Sequence, residues 1–169
     1  MNPMRAPKLE KVVVHIGAGE AGERLLKAQK VLEMVTGQKP SITHSKRTNR
    51  DFGIRKGQPL GCKVTLRGER AKDFLKRALW VKENRISLYS FSHDGNFSFG
   101  VADYTDFSGM KYDPEIGVFG MDINVSMIRR GYRIARRQIA RRPVPEKHKL
   151  TLTESVGYLK EQFGLEVVE

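Results

Sequence analysis

A chain of 169 residues with 31 Lys and Arg against 19 Asp and Glu carries a formal net charge of +12, and its pI lies near 10.0. A single cysteine, Cys62, excludes an internal disulfide and a thiolate-rich zinc site. No run of the sequence approaches the ~18 apolar residues that mark a membrane-spanning helix, and the opening residues lack the apolar stretch of a secretory signal, so a cytoplasmic protein with no membrane partner is expected.

The charge is placed, not spread. Residues 41–70 hold eight Lys or Arg against Asp51 and Glu69, a net of +6, and residues 129–149 hold nine against Glu146, a net of +8. The remainder is therefore mildly acidic, like an ordinary globular protein. Clustered Lys and Arg are the electrostatic footprint of a phosphate backbone, because each neutralised phosphate releases condensed counterions. A solvated basic face that aids solubility is the competing explanation. The length suits one domain over residues 1–169 with a core of its own, and the Arg-rich run at 129–149 has too few apolar residues to fold by itself.

In chain order, residues 8–16 read as a first strand, with Val12, Val14 and Ile16 on one face and Lys11, Val13 and His15 on the other. A helix is predicted over 20–36 from Ala21, Leu25, Ala28, Leu32 and Val35, closed by Gly37. Strands are predicted at 41–48 and 61–68; in the second, Cys62, Val64 and Leu66 alternate with Lys63, Thr65 and Arg67. The loop between them, 49–60, is too long for a tight hairpin, and long loops in compact domains are commonly functional. Its glycines, Gly53 and Gly57, suggest mobility, and Arg50, Arg55 and Lys56 supply charge.

Phe74, Leu75, Ala78 and Leu79 predict a second helix over 69–82, and Asp94-Gly95 predicts a hairpin turn between strands at 86–91 and 97–102. Residues 121–128 alternate as a late strand that 132–135 would prolong. Thr151 and Glu154 have capping-box spacing for a last helix ending at Gly164, and Val167 and Val168 suit a short terminal strand. The expected class is α+β: one two-layer domain, a largely antiparallel sheet with helices on one face, and long basic loops.

Gly17-Ala18-Gly19-Glu20-Ala21-Gly22 has the GxGxxG spacing of a dinucleotide site. That reading fails on its surroundings: Glu20 would set a carboxylate beside the pyrophosphate, and residues 35–50 offer no acid for a ribose hydroxyl. The glycines are better explained by a tight strand-to-helix turn, and no cofactor is expected. His15, His44, His93 and His148 are dispersed without metal-ligand spacing, and Asp103, Asp106, Asp113, Glu115 and Asp122 suit a solvated or protein-facing edge more than catalysis. Neither a metal nor an enzymatic reaction is expected. Phe52, Tyr132, Phe97 and Phe99 lie near the charge and are candidates for base stacking, although Phe97 and Phe99 share a strand face and equally suit the core.

Five ordered motifs carry a family resemblance. They are Glu10-Lys11-Val12-Val13-Val14-His15-Ile16-Gly17-Ala18-Gly19-Glu20; Thr36-Gly37-Gln38-Lys39-Pro40; Asp51-Phe52-Gly53-Ile54-Arg55-Lys56-Gly57; Gly61-Cys62-Lys63-Val64-Thr65-Leu66-Arg67-Gly68; and Asp94-Gly95-Asn96-Phe97-Ser98-Phe99-Gly100 with Tyr112-Asp113-Pro114-Glu115-Ile116 and Gly120-Met121-Asp122 after it. Over about residues 5–168 the chain resembles the universal large-subunit ribosomal protein L-five family. The segment after Gly131 and the closing helix resemble its archaeal and eukaryotic branch. The resemblance implies a ribosomal protein of the central protuberance that binds 5S ribosomal RNA and helps join it to large-subunit ribosomal RNA, beside a neighbouring 5S-binding ribosomal protein.

On this resemblance the 5S contacts fall on His15, Gln38, Thr65 and Arg67, with Lys39 and Lys63 beside them. The family usually carries Asn where this chain has His15, whose imidazole still donates or accepts one hydrogen bond. The loop containing Arg50, Phe52, Gly53, Ile54, Arg55, Lys56 and Gly57 resembles the element that reaches P-site tRNA. The segment containing Tyr112, Asp113 and Glu115 resembles the part that faces a small-subunit head protein in an intersubunit bridge. Arg129, Arg130, Arg133, Arg136, Arg137, Arg141, Arg142, Lys147 and Lys149 would lie against ribosomal RNA and fold on it. A stand-alone RNA-binding or assembly factor on the same scaffold is the nearest alternative.

Overall fold

The computed structural model describes residues 2–168. Seven strands and three α-helices follow the order β1 (Pro7–Gly17), α1 (Glu23–Thr36), β2 (Ser41–His44), β3 (Pro59–Leu66), α2 (Gly68–Val81), β4 (Arg85–Ser87), β5 (Phe97–Val101), β6 (Met121–Arg129), α3 (Leu152–Phe163) and β7 (Glu166–Val168). Five strands form an antiparallel sheet in the order β2-β3-β1-β6-β5, while β4 and β7 make a separate two-stranded pair. The predicted α+β class is thus the observed one. The chain divides into two compact units, one of Met1–Val12, Leu66–Phe99 and Asn124–Glu169, the other of Val13–Thr65 and Gly100–Ile123.

In the second unit, α1 buries Leu25, Ala28, Val31, Leu32 and Val35 along one stripe. It begins at Glu23, three residues later than the spacing predicts, because Gly22 adopts φ 120° and holds the preceding turn out of the helix. Ala21 is consequently exposed, and Val31 completes the stripe instead. Gly37, left-handed at φ 64°, ends the helix by donating its N–H to the Glu33 carbonyl at 2.8 Å. After the helix, strand β2 is shorter than predicted and β3 starts earlier. The register of the pair slips between Thr43 and His44, and His44 sits opposite Pro59.

In the first unit, α2 buries Ala71, Phe74, Leu75, Ala78 and Leu79, as the apolar stripe predicts. The expected strand at 86–91 is cut to Arg85–Ser87. Ser87 Oγ accepts the N–H of Tyr89 at 3.4 Å and turns Leu88–Ser90 into a 3-10 helix. The shortened strand then pairs in parallel with β7, Arg85 opposite Glu166 and Ser87 opposite Val168. The Asp94-Gly95 turn is present, closed by Ser92 N–H to Asn96 O at 2.7 Å, and an isolated bridge pairs Phe91 with Phe97 across it. Residues Tyr132–Ala135 do not prolong β6: Gly131, at φ 98°, breaks the strand and a 3-10 turn follows.

Helix α3 keeps its predicted ends. Thr151 and Glu154 form the capping box, with the Thr151 N–H donating to Glu154 Oε2 at 3.2 Å, and Gly164 closes the helix in the left-handed region. Thr151→Ala is expected to lower stability by about 1 kcal/mol through loss of the cap, read as a lower urea midpoint with an unchanged denaturant slope.

Candidate nucleic-acid interface

Strand alternation sets the chemistry of the second unit. Val14 and Ile16 of β1 and Cys62 and Val64 of β3 are sealed from solvent, so the residues between them project to the other side. His15 is half-buried there, Lys63 is exposed and Thr65 is half-buried. A Cβ on Gly61 would stand 2.6 Å from the Ile16 carbonyl oxygen and 3.2 Å from both His15 Nε2 and Thr43 Oγ1. The missing side chain is what lets β1 and β3 close while bringing an imidazole and a hydroxyl to one spot. His15 Nδ1 lies 3.9 Å from an Asp122 carboxylate oxygen, and Ser41 Oγ donates to the Lys63 carbonyl at 3.3 Å. Gln38, also half-buried, and Lys39 follow the Gly37 cap and lead into β2.

Loop 49–60 has a scaffold of its own. Asn49 and Ile54 exchange both backbone hydrogen bonds, at 2.8 and 2.9 Å, around a tip of Arg50, Asp51, Phe52 and Gly53. Lys56 N–H donates to Thr48 Oγ1 and Arg55 N–H to Gln58 Oε1, each at 3.1 Å. Gly53 and Gly57 adopt φ 65° and 85°, so they supply left-handed backbone to this fold-back. Phe52 stands 77% exposed at the tip, and Arg50, Arg55 and Lys56 are exposed around it.

The 112–120 segment is anchored by Tyr104, which is buried and receives the Asp113 N–H on its hydroxyl at 3.2 Å. One Asp113 carboxylate oxygen accepts the Glu115 N–H at 3.0 Å, and Glu115, the 58% exposed Tyr112 and the 62% exposed Val118 are among its outward groups.

In the first unit the Arg-rich run is pinned by two carboxylates that the charge count does not single out. Arg129 is buried and ion-pairs with Glu154. Arg136 donates to Glu10, whose side chain is 5% exposed and also accepts from Ser126 Oγ at 2.8 Å. Arg67, the residue before α2, comes within 3.7 Å of the same Glu10 oxygen. His148 Nε2 meets the Arg130 carbonyl at 2.7 Å, and the Leu150 N–H donates to Tyr132 Oη at 3.1 Å. Arg130, Arg133, Arg137, Arg141, Arg142, Lys147 and Lys149 remain exposed. Phe97 is buried and stacked on Phe91 at 5.0 Å between ring centroids, so it belongs to the core.

The Arg136 hydrogen bond holds the Glu10 carboxyl below its ordinary range, against the opposing effect of burial and with help from Ser126. For Glu154, burial opposes ionisation, but hydrogen bonds from Thr151 and the nearby Arg129 outweigh it and lower the value.

A family model described as Ribosomal protein L5 matches residues 2–55, and a second model, for the C-terminus of the same ribosomal family, matches residues 59–156. The chain belongs to the ribosomal protein L5 family. It is 50% identical over 166 residues to "Large ribosomal subunit protein uL5" of Methanococcoides burtonii, covering 98% of each chain. The protein of the same description from Picrophilus torridus is 52% identical over 168 residues, spanning 99% of this chain and 96% of the relative. That from Thermoplasma volcanium is 52% identical over 169 residues and 99% of each. These archaeal relatives are matched through the Arg-rich segment and α3, in keeping with the branch the sequence resembles. Family membership makes this L5-family chain a structural constituent of the large ribosomal subunit, associated with the cytoplasmic ribosome.

Because the folded pKa of Glu10 is depressed, the stability it contributes is complete above the ordinary carboxylate range and is lost as the pH falls through the lowered folded value. Glu10→Gln removes that part. The variant should therefore be less stable at neutral pH and show a shallower loss on acidification, measured by urea unfolding at a series of pH values.

Proposed function

We propose that the protein binds 5S ribosomal RNA through His15, Gln38, Lys39, Lys63, Thr65 and Arg67, and helps attach it to large-subunit ribosomal RNA. The observation that carries this reading is the partition of β1 and β3. Their apolar residues close the core, while His15, Lys63 and Thr65 lie on the opposite face, half-buried or open, with His15 and Thr43 beside a spot cleared by Gly61. Hydrogen-bonding groups on a rigid strand suit shape and 2′-hydroxyl contacts, and the nearby lysines suit phosphates.

The loop at 49–60 is the element that reaches P-site tRNA. Its exposed Phe52 offers a stacking plane, and Arg50, Arg55 and Lys56 offer phosphate contacts. Contact with a ligand that leaves on each cycle requires a loop whose movement does not disturb the core, and its fold-back is closed by its own hydrogen bonds. Segment 112–120, with Tyr112, Asp113 and Glu115, faces a basic small-subunit head protein. The exposed residues of the Arg-rich run rest on ribosomal RNA, beside a neighbouring 5S-binding ribosomal protein.

Binding of labelled 5S RNA should weaken by roughly 10³-fold between 50 and 200 mM salt if six or more phosphates are contacted. Replacing Thr65 and Arg67 by Ala should cost about 1–3 kcal/mol for 5S RNA and leave a length-matched control RNA less affected. A salt-insensitive affinity, or equal losses on both RNAs, would contradict the assignment. Deleting residues 52–57 should preserve 5S affinity in the same titration and impair tRNA retention on reconstituted ribosomes; a loss of 5S affinity would move the loop into the RNA-anchoring surface.

A further inference from the structure

Beside Glu10, the first unit has a cavity of about 330 Å3 whose walls include Asp94, Asn96, Tyr132, Arg136 and Lys149. The size is at the lower end of the range that holds small ligands, roughly 300–1,000 Å3. Two of its walls are held in place by the fold. The Tyr132 hydroxyl accepts the Leu150 N–H at 3.1 Å, which fixes the ring. Asn96 Oδ1 accepts the Met127 N–H at 2.9 Å, which leaves the amide NH2 as a donor. Pro143 and Val144 add apolar surface to the same cavity.

The charges on the walls cancel: Arg136 and Lys149 stand against Glu10 and Asp94. A polyphosphate is therefore a poor occupant of the interior, whereas an uncharged aromatic heterocycle with polar edges suits it. Two guanidiniums meet at Glu10, that of the wall residue Arg136 and that of Arg67. Arg67 and Arg136 are more than half exposed, and both guanidiniums approach the same Glu10 oxygen, so their remaining N–H groups are free to meet phosphates. Both Glu10 oxygens are already engaged, so the open acceptor is the exposed Asp94 carboxylate, which favours a base with adjacent N–H donors, and guanine presents N1–H and N2–H2 side by side.

We propose that this pocket takes one unstacked nucleotide of an RNA strand, guanosine by preference, with the base against Tyr132 and its flanking phosphates on Arg67 and Arg136. The inference rests on the RNA-binding reading above and adds to it a site that selects a base. Single-stranded nucleotides are commonly read in this way, by an aromatic plane and hydrogen bonds to the base edge.

The test titrates the full chain with the trinucleotides UGU, UAU and UUU and with free guanosine 5′-monophosphate, following the Tyr132 ring and Asn96 side-chain signals by NMR. UGU should move both signals and bind about tenfold or more tighter than the other trinucleotides. Tyr132→Leu should weaken UGU about tenfold or more. Asp94 is exposed, so Asp94→Asn leaves the fold intact and should erase the preference for UGU over UAU. Equal binding of the three trinucleotides, or shifts confined to residues outside the pocket, would overturn the proposal. Tighter binding of the free mononucleotide than of UGU would overturn its assignment to an RNA strand. A parallel titration with 5S RNA separates the two readings: salt-sensitive 5S binding with silent pocket signals removes the pocket alone. UGU seated in the pocket without any ribosomal RNA binding removes the 5S assignment and leaves the pocket standing.

Discussion

A carboxylate taken out of water must find compensating charge and hydrogen bonds, and Glu10 meets that demand by drawing three parts of the first unit together. From β1 it accepts the Ser126 hydroxyl of β6, holds Arg136 of the Arg-rich run and lies near Arg67 at the start of α2. The constraint works in both directions. Without the two arginines the acid would be an uncompensated charge, and without the acid two like-charged guanidiniums would face one another beside the sheet. The position of the basic run is thus coupled to the position of the strand beneath it.

The same logic governs Arg129, a cation of the run that is itself buried. Its partner Glu154 also receives the Thr151 N–H, so one carboxylate closes the end of β6 and opens α3. A protein with a strong net positive charge needs such internal acids, because a surface of unpaired arginines resists compaction. These two pins, with the hydrogen bonds of His148 to Arg130 and of Leu150 to Tyr132, lay down the run while its other cations stay exposed. The result is a positive surface with a defined shape, which lowers the ordering cost of meeting a polyanion.

What the sequence made legible was local. The stripe of α1, the alternation of β1 and β3, the capping box of Thr151 with Glu154 and the charge clusters all depend on residues a few positions apart. The ordered family motifs were legible for the same reason. Pairings between distant segments were not. β4 meets β7 in parallel from across half the chain, and a three-residue strand carries no period long enough to announce a partner. Ser87 and Gly22 altered element ends through a side-chain acceptor and a positive φ, both invisible to apolar spacing. Arg136 and Glu10 are 126 positions apart. The available signal was a lone acid inside the first strand, flanked by Leu9 and Lys11, and nothing near it in sequence names its partner. Gly61 was legible as part of a motif, but its role in clearing space beside His15 required the neighbouring strand.

Cys62 gives β3 a further property. It is fully buried, and burial pushes its thiol up to about 11, so at neutral pH the nucleophilic thiolate is a population on the order of one in ten thousand. Alkylating agents and oxidants therefore pass over the closed strand and find the sulfur only when the strand opens and the thiol regains its ordinary acidity. The single sulfur is a clock for local opening, set between Gly61 and Lys63. A ligand resting on Lys63 and Thr65 would slow that clock without touching the sulfur itself.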